Sequence, residues 1–309
     1  MITILRAPPF ATVQDLGRAG HLDAAVPRAG ALDPFALALA NILVGNPPEA
    51  AAVEWGLAGG EVRFERDATV ALSGAIARAT IGGRAVGPGR ASRAAAGEVL
   101  AVERIEDGAW LYVAVSGGID VPPVLGSRAT YLPGRFGGFE GRLLRSGDRL
   151  PLGSPVARAA RTGAPRDLPA SALRTPIGLL PGPDLGRLSD TAWRWLVETE
   201  FRVSHAVSRM GYRLEGPAPA LSLPRDLPSA PACIGTIQLP PGGEPIVLMP
   251  DGPTVGGYPR MAVVATADLG RLAQRRPGEV VRFEAVGLAE ARARLRRRRE
   301  ALDAIAESA

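Results

Sequence analysis

Glycine and proline, 38 and 29 of 309 residues, interrupt this chain so often that its regular elements must be short and joined by many turns. Between the interruptions lie runs with the periodicity of strands. Glu61-Val-Arg-Phe-Glu-Arg66 and Glu279-Val-Val-Arg-Phe-Glu-Ala285 alternate apolar and charged residues, which puts Val62 with Phe64, and Val281 with Phe283, on one face of a half-buried strand. Trp110–Val115 and Pro245–Met249 lack that alternation, as strands covered on both faces do. Gly-Glu or Gly-Asp pairs precede strands in both halves, at Gly97, Gly147 and Gly278, a recurrence that suggests duplicated β architecture.

Helices are few. Asp33 can cap a helix that has Pro34 in its first turn, Phe35, Leu39, Ile42 and Leu43 on one face, and Gly45 as its stop. Ser189 or Asp190 is expected to cap a second helix carrying Trp193, Leu196 and Val197, and Thr266 a third carrying Leu269, Leu272 and Ala273. Residues 289–309 hold six arginines against four acidic residues and read as a basic helix, docked by Leu288, Leu295, Leu302 and Ile305. The small, proline-punctuated stretch from 153 to 176 reads as a connection. These features give a mainly β chain with an N-terminal domain at 1–155, a C-terminal domain at 176–288 and the basic helix.

Composition removes several chemistries. All 36 basic positions are arginine, so a Walker A loop, a Schiff-base lysine and a covalently attached biotin or lipoyl group are excluded. One cysteine, Cys233, in an apolar setting, reads as a packed thiol. With His21 and His205 the only histidines, no zinc spacing exists and no metal is expected. The N-terminus reads as a first strand rather than a signal peptide, and no apolar run reaches membrane-span length, so a cytoplasmic protein without membrane contact is expected. The net charge of +5 with 5% aromatics and interleaved acids gives no footprint for nucleic acid.

Familiar motifs also fail. Gly82–Gly89 misses the dinucleotide spacing and reads as a hairpin turn, and no G-x-S-x-G elbow is present. What remains are loops dense in glycine, arginine, carboxylate and amide. Gln14–Gly20 holds Asp15 and Arg18, and Leu125–Thr130 holds Ser127 and Arg128 in a segment like an anion-binding turn. Arg209 lies in Ser208–Leu214, and the richest segment, Gly235–Pro259, carries Gln238, Asp251, Thr254, Gly256, Gly257 and Tyr258. Glycine lets a backbone approach a ligand closely, while the amide, carboxylate and hydroxyls can fix its polar atoms. Asp251 is the candidate polarising group or base, with Gln238 beside it. The other nine residues, Asp15, Arg18, Ser127, Arg128, Arg209, Thr254, Gly256, Gly257 and Tyr258, are candidates for binding substrate.

Taken in order, the segments resemble the family of the 5-oxoprolinase C subunit, also called KipA or allophanate hydrolase subunit 2, a biotin-dependent carboxyltransferase-like family. The resemblance runs from about residue 2 to 290, through Gln14-Asp-Leu-Gly-Arg18, Gly30-Ala-Leu-Asp33, Glu54, Leu125-Gly-Ser-Arg128, Arg209-Met-Gly-Tyr-Arg-Leu214, Gly235-Thr-Ile-Gln238 and Gly256-Gly-Tyr-Pro259. It implies tandem cyclophilin-like β-barrels. It also implies one component of an ATP-dependent 5-oxoprolinase, which opens the 5-oxo-L-proline lactam to L-glutamate with hydrolysis of ATP to ADP and phosphate. The implied partners are a KipI-like B subunit, with which ATP would be shared, and an A subunit. Two departures stand out. Val207-Ser208 replaces a usual Ser-Asp, and Asp251-Gly-Pro-Thr-Val-Gly-Gly-Tyr258 replaces Asp-x-Gln-Thr-Thr-Gly-Gly-Tyr. They leave open a carboxyltransferase or allophanate–urea role served by a separate biotin carrier, and a non-catalytic regulatory role beside a KipI-like partner.

Overall fold

The computed structural model describes residues 1–155, 175–187, 190–217 and 227–307, which fall into two compact units. The first comprises Met1–Arg18, Ala29–Ala170 and Arg298–Ala309; the second comprises Ala19–Arg28 and Ser171–Arg297. Most of the expected 153–176 connection lies outside the described residues.

In the first unit, nine described strands form one sheet: β1 (Ile2–Arg6), β2 (Phe10–Gln14), β3 (Ala52–Gly56), β4 (Gly60–Phe64), β5 (Ala68–Ile81), β6 (Arg84–Ala85), β7 (Ala91–Ala94), β8 (Val99–Val115) and β9 (Arg149–Leu150). β8 organises it. Its N-terminal half pairs with β4, its C-terminal half with β3, and β5 runs antiparallel along both halves. Register shifts between Gly74 and Ala79 bend this long pair, so the sheet curls into a barrel-like shape. Trp55, Val62, Phe64, Leu100, Leu111, Val113 and Val115 fill the core. The β5–β6 turn is made by Gly82 and Gly83, both at positive φ (54° and 80°), the requirement of a tight two-residue hairpin. Helix α1 (Pro34–Leu43) begins as its residues imply: the Asp33 side chain accepts from the Ala36 amide at 3.2 Å and Pro34 occupies the first turn.

The second unit holds an eight-stranded described sheet of β10 (Ile177–Pro181), β11 (Phe201–Ser208), β12 (Gly211–Glu215), β14 (Thr236–Gln238), β15 (Ile246–Leu248), β17 (Arg260–Val264), β18 (Val280–Val281) and β19 (Phe283–Ala285). A separate ribbon pairs β13 (Ala230–Pro231) with β16 (Val255–Gly256). The strand expected at 279–285 divides at Arg282. Val280–Val281 pairs with β11 at one end of the sheet and Phe283–Ala285 with β10 at the other, so a corner of one residue joins the two sheet ends and closes the barrel. Both units are thus mainly β and barrel-like, with few helices.

Helix α2 (Asp190–Glu198) carries Trp193, Leu196 and Val197 as expected, while Ser189, one of its two candidate caps, lies outside the described residues. The third helix differs at its start. Thr266 sits inside a 3₁₀ turn, Thr266–Asp268, and the α-helical part, α3 (Leu269–Ala273), has no side-chain cap. Helix α4 (Leu288–Glu307) is long and basic, but its leucine stripe does not bury it: Leu288 is 55% exposed and only Ala291 is buried. Arg294 anchors α4 instead, reaching Asp268 at 3.1 Å and Glu284 at 2.8 Å. Cys233 corrects another expectation, being exposed rather than packed, with its Sγ 3.4 Å from Thr236 Oγ1. No helix among the described residues is long and apolar enough to cross a membrane.

Candidate functional site

Seven of the eleven candidate residues fall in the second unit. Arg209 follows β11, Gln238 ends β14, and Asp251 through Tyr258 run from the end of β15 through β16. Arg209 Nε and Nη2 donate to the two Asp251 carboxylate oxygens at 2.9 Å each, with both side chains buried. The Asp251 amide also donates to the Arg209 carbonyl at 3.0 Å. This double attachment fixes the two loops to each other, and it commits both oxygens of the expected base to a guanidinium, the planar fork that matches a carboxylate.

Gln238 is buried, and its Nε2 has no hydrogen-bond partner among the described residues. It presses on Gly256: a Cβ at that position would lie 2.6 Å from Gln238 Nε2, so any larger residue would have to displace the Gln238 amide. Thr254 uses its backbone carbonyl to accept from Ala232 at 2.9 Å, beside the β13–β16 ribbon. Gly257 and Tyr258 are exposed. Gly256 and Tyr258 line a cavity of about 180 Å³, together with Asp184, Arg187, Leu227, Pro228, Ala230 and Arg260.

Sequence reasoning missed the three charged residues of that cavity. Arg260 Nε and its amide donate to Asp184 Oδ2 at 2.8 and 3.1 Å, and Arg260 Nη1 donates to the Pro231 carbonyl at 2.7 Å. The hydrogen bond from Arg260 holds the Asp184 carboxyl below its ordinary range, against burial, and Asp184 in turn raises the Arg260 guanidinium. Arg187 approaches Asp184 only at 3.9 Å and is 60% exposed. Their sequence signals were a Pro-Gly-Pro-Asp turn at 181–184 and an arginine directly after Gly-Gly-Tyr-Pro.

The other four candidates lie in the first unit and form a different kind of cluster. The Asp15 carboxylate accepts from the Gly17 amide at 2.7 Å, Ser127 Oγ at 2.7 Å and the Arg128 amide at 2.6 Å. The anion-binding turn at 125–130 therefore holds an anion supplied by the chain itself. Arg128 Nε donates to the Val121 carbonyl at 2.7 Å, and Nη2 to Asp120 at 2.8 Å. Arg18, only 2% exposed, stacks its guanidinium 4.9 Å from the Phe136 ring centre and donates to the Ala129 carbonyl. Deeper in this unit, Glu54 accepts from Tyr112 Oη and the Leu32 amide, each at 2.8 Å. Burial, then the Glu54 and Asp33 charges, push the Tyr112 phenol well above its usual range. Of the two departures, Ser208 Oγ accepts from the Met210 amide at 3.2 Å within its own turn, while Pro253 is exposed.

Two barrel-like sheets with these loop clusters define a class, and residues 24–285 match the family model described as "Carboxyltransferase domain, subdomain A and B"; the chain belongs to that family. Within it, the chain is 40% identical to the 5-oxoprolinase C subunit of Escherichia coli (strain K12), over 94% of this chain and 93% of that protein. It is 36% identical to the 5-oxoprolinase C subunit of Haemophilus influenzae, over 97% of this chain and 96% of that protein. A crystal structure of the K. lactis urea amidolyase superposes with a TM-score of 0.88 at 29% identity, over 98% of this chain but 20% of that longer one.

Proposed function

We propose that this chain is the C subunit of an ATP-dependent 5-oxoprolinase, working in the cytoplasm with a B subunit and an A subunit. The observation that carries the reading is identity of 36–40% with two proteins of that name across nearly their whole lengths. The reaction opens the 5-oxo-L-proline lactam to L-glutamate as ATP is hydrolysed to ADP and phosphate. Activation explains the need for ATP: transfer of the terminal phosphoryl group to the lactam oxygen releases ADP and makes the ring carbon electrophilic. One water adds there, and the C–N bond breaks with the nitrogen leaving as the amine to give an acyl phosphate. A second water hydrolyses that acyl phosphate to the carboxylate and phosphate.

Within this reading the two units act as the tandem domains of the protein, and roles divide by exposure. Tyr258 and the Gly256–Gly257 backbone contact substrate, with Gln238 behind them. Arg209 and Asp251 position that loop rather than move a proton, because each occupies the other's hydrogen-bonding groups. Asp15, Ser127, Arg128 and Arg18 hold the corresponding loops of the first unit in shape. The test is reconstitution: the chain mixed with its B and A partners should form glutamate only when both ATP and 5-oxoproline are present. A correctly assembled mixture without that activity overturns the reading.

The likeness to urea amidolyase favours one second reading, a carboxyl-transfer half that serves a biotin carrier on another chain, since this one lacks lysine. Avidin would then stop turnover, whereas the oxoprolinase reading expects insensitivity to it.

A further inference from the structure

The cavity beside Tyr258 has an arrangement of charge that its size makes informative. Its volume is roughly that of six waters in the liquid, enough for a small metabolite. Leu227, Pro228 and Ala230 give it an apolar side. Of its two guanidiniums, that of Arg260 is already matched: Nε and Nη2 donate to the two Asp184 carboxylate oxygens at 2.8 and 3.4 Å, and Nη1 donates to the Pro231 carbonyl. That pairing leaves Arg187, whose approach to Asp184 is too long for a hydrogen bond, as the excess positive charge, with the half-exposed Tyr258 among the same lining residues. Asp184 does not neutralise both arginines, so the described lining residues carry a net charge of one positive unit.

We infer that this cavity is a recognition site for a small monocarboxylate with a compact apolar body: Arg187 and Tyr258 take the carboxylate, the Arg260–Asp184 pair forms the fixed floor, and Leu227, Pro228 and Ala230 cover the carbon skeleton. Resting on the function proposed above, the ligand is the substrate acid itself, and Arg187 is a specificity-determining residue that reads its carboxylate rather than its lactam. Asp184 has a distinct part. By holding Arg260 it keeps a second guanidinium from competing for the same anion, so the site reads one charge and not two.

The experiment is calorimetric titration of the full chain with 5-oxo-L-proline, with its neutral carboxamide analogue and inorganic phosphate as comparators. The acid should bind at least about tenfold more tightly than either comparator, the worth of one charge-assisted contact. Arg187→Gln should weaken acid binding about tenfold and leave the carboxamide unchanged, with Arg187→Lys recovering part of the loss. Arg187 is 60% exposed, so an unchanged melting temperature should accompany these effects. In the assembled enzyme, Arg187→Gln should raise KM for the acid with little change in kcat. Parental acid affinity and KM in Arg187→Gln would overturn the inference even if the complex is fully active. Equal binding of phosphate would overturn the assignment to carboxylates. If the parental complex proves inactive while acid binding still depends on Arg187, the function fails and the site stands.

Discussion

Asp251→Asn separates a structural clamp from a catalytic base. Asp251 and Arg209 are 1% and 7% exposed at their side chains and share two hydrogen bonds of 2.9 Å. Removing the negative partner strips a buried guanidinium of the carboxylate with which it shares two hydrogen bonds, which costs about 3–5 kcal/mol, whereas replacing both partners by apolar residues of similar shape removes the buried charges together. Arg209→Met with Asp251→Leu should therefore be more stable than Asp251→Asn alone, although it removes more polar atoms. At roughly 2–4 °C per kcal/mol, the single change lowers the melting transition of its unit by on the order of 6–20 °C. Scanning calorimetry of the single and double variants, beside turnover of the reconstituted complex under conditions where each is folded, gives both quantities. The backbone bond between Asp251 N and Arg209 O survives the substitution, so the loops should keep their register. If Asp251→Asn melts within about 1 kcal/mol of the parent while turnover vanishes, the clamp argument is refuted and Asp251 acts on the reacting atoms.

Gly256→Ala should cut turnover of the assembled enzyme, because its Cβ would meet Gln238 Nε2 at 2.6 Å; pairing it with Gln238→Ala should relieve the stability cost, as read by melting temperature. Asp15→Ala strands three donors and should destabilise the first unit by more than about 2 kcal/mol in urea titrations. The hydrogen bonds from Arg84 and the Ala95 amide hold the Glu98 carboxyl at about 2, below its usual 4.5. Its contribution to stability is therefore complete above pH 4.5 and lost as the pH falls towards 2, and the acid limb of a pH–stability profile should flatten in Glu98→Gln.

Local rules were most legible where the residues themselves form the structure. Asp33 and Pro34 opened a helix, Gly82-Gly83 turned a hairpin, and Val62 with Phe64 faced a core. Long-range pairing was not legible. Nothing in Glu279–Ala285 announces that Arg282 turns a corner between two ends of one sheet, since that depends on β10 and β11, far away in the chain. Leucine spacing on α4 suggested apolar docking, whereas the fold delivered Asp268 and Glu284 to Arg294. The candidate loops were visible as dense polar segments, but their internal partners were not. Asp15 answers Ser127 and Arg128 more than 100 residues on, and Asp251 answers Arg209 across a neighbouring turn. The same blindness hid Asp184 and Arg260, which become a pair only when β17 is laid beside β10.

The all-arginine clamps make the molecule's response to acid and to base unequal. Every ion pair among the described residues takes its cation from a guanidinium, and the carboxylates beside Arg84, Arg142 and Arg260 raise those groups further. Carboxylates titrate on the acid side, but a guanidinium keeps its proton far above the pH near 10.4 at which a lysine begins to lose its own. A barrel pinned by lysines would loosen in strong base as its pins discharged one after another. Here the pins stay charged, and alkaline unfolding must wait for groups elsewhere, such as the buried Tyr112 phenol, to ionise.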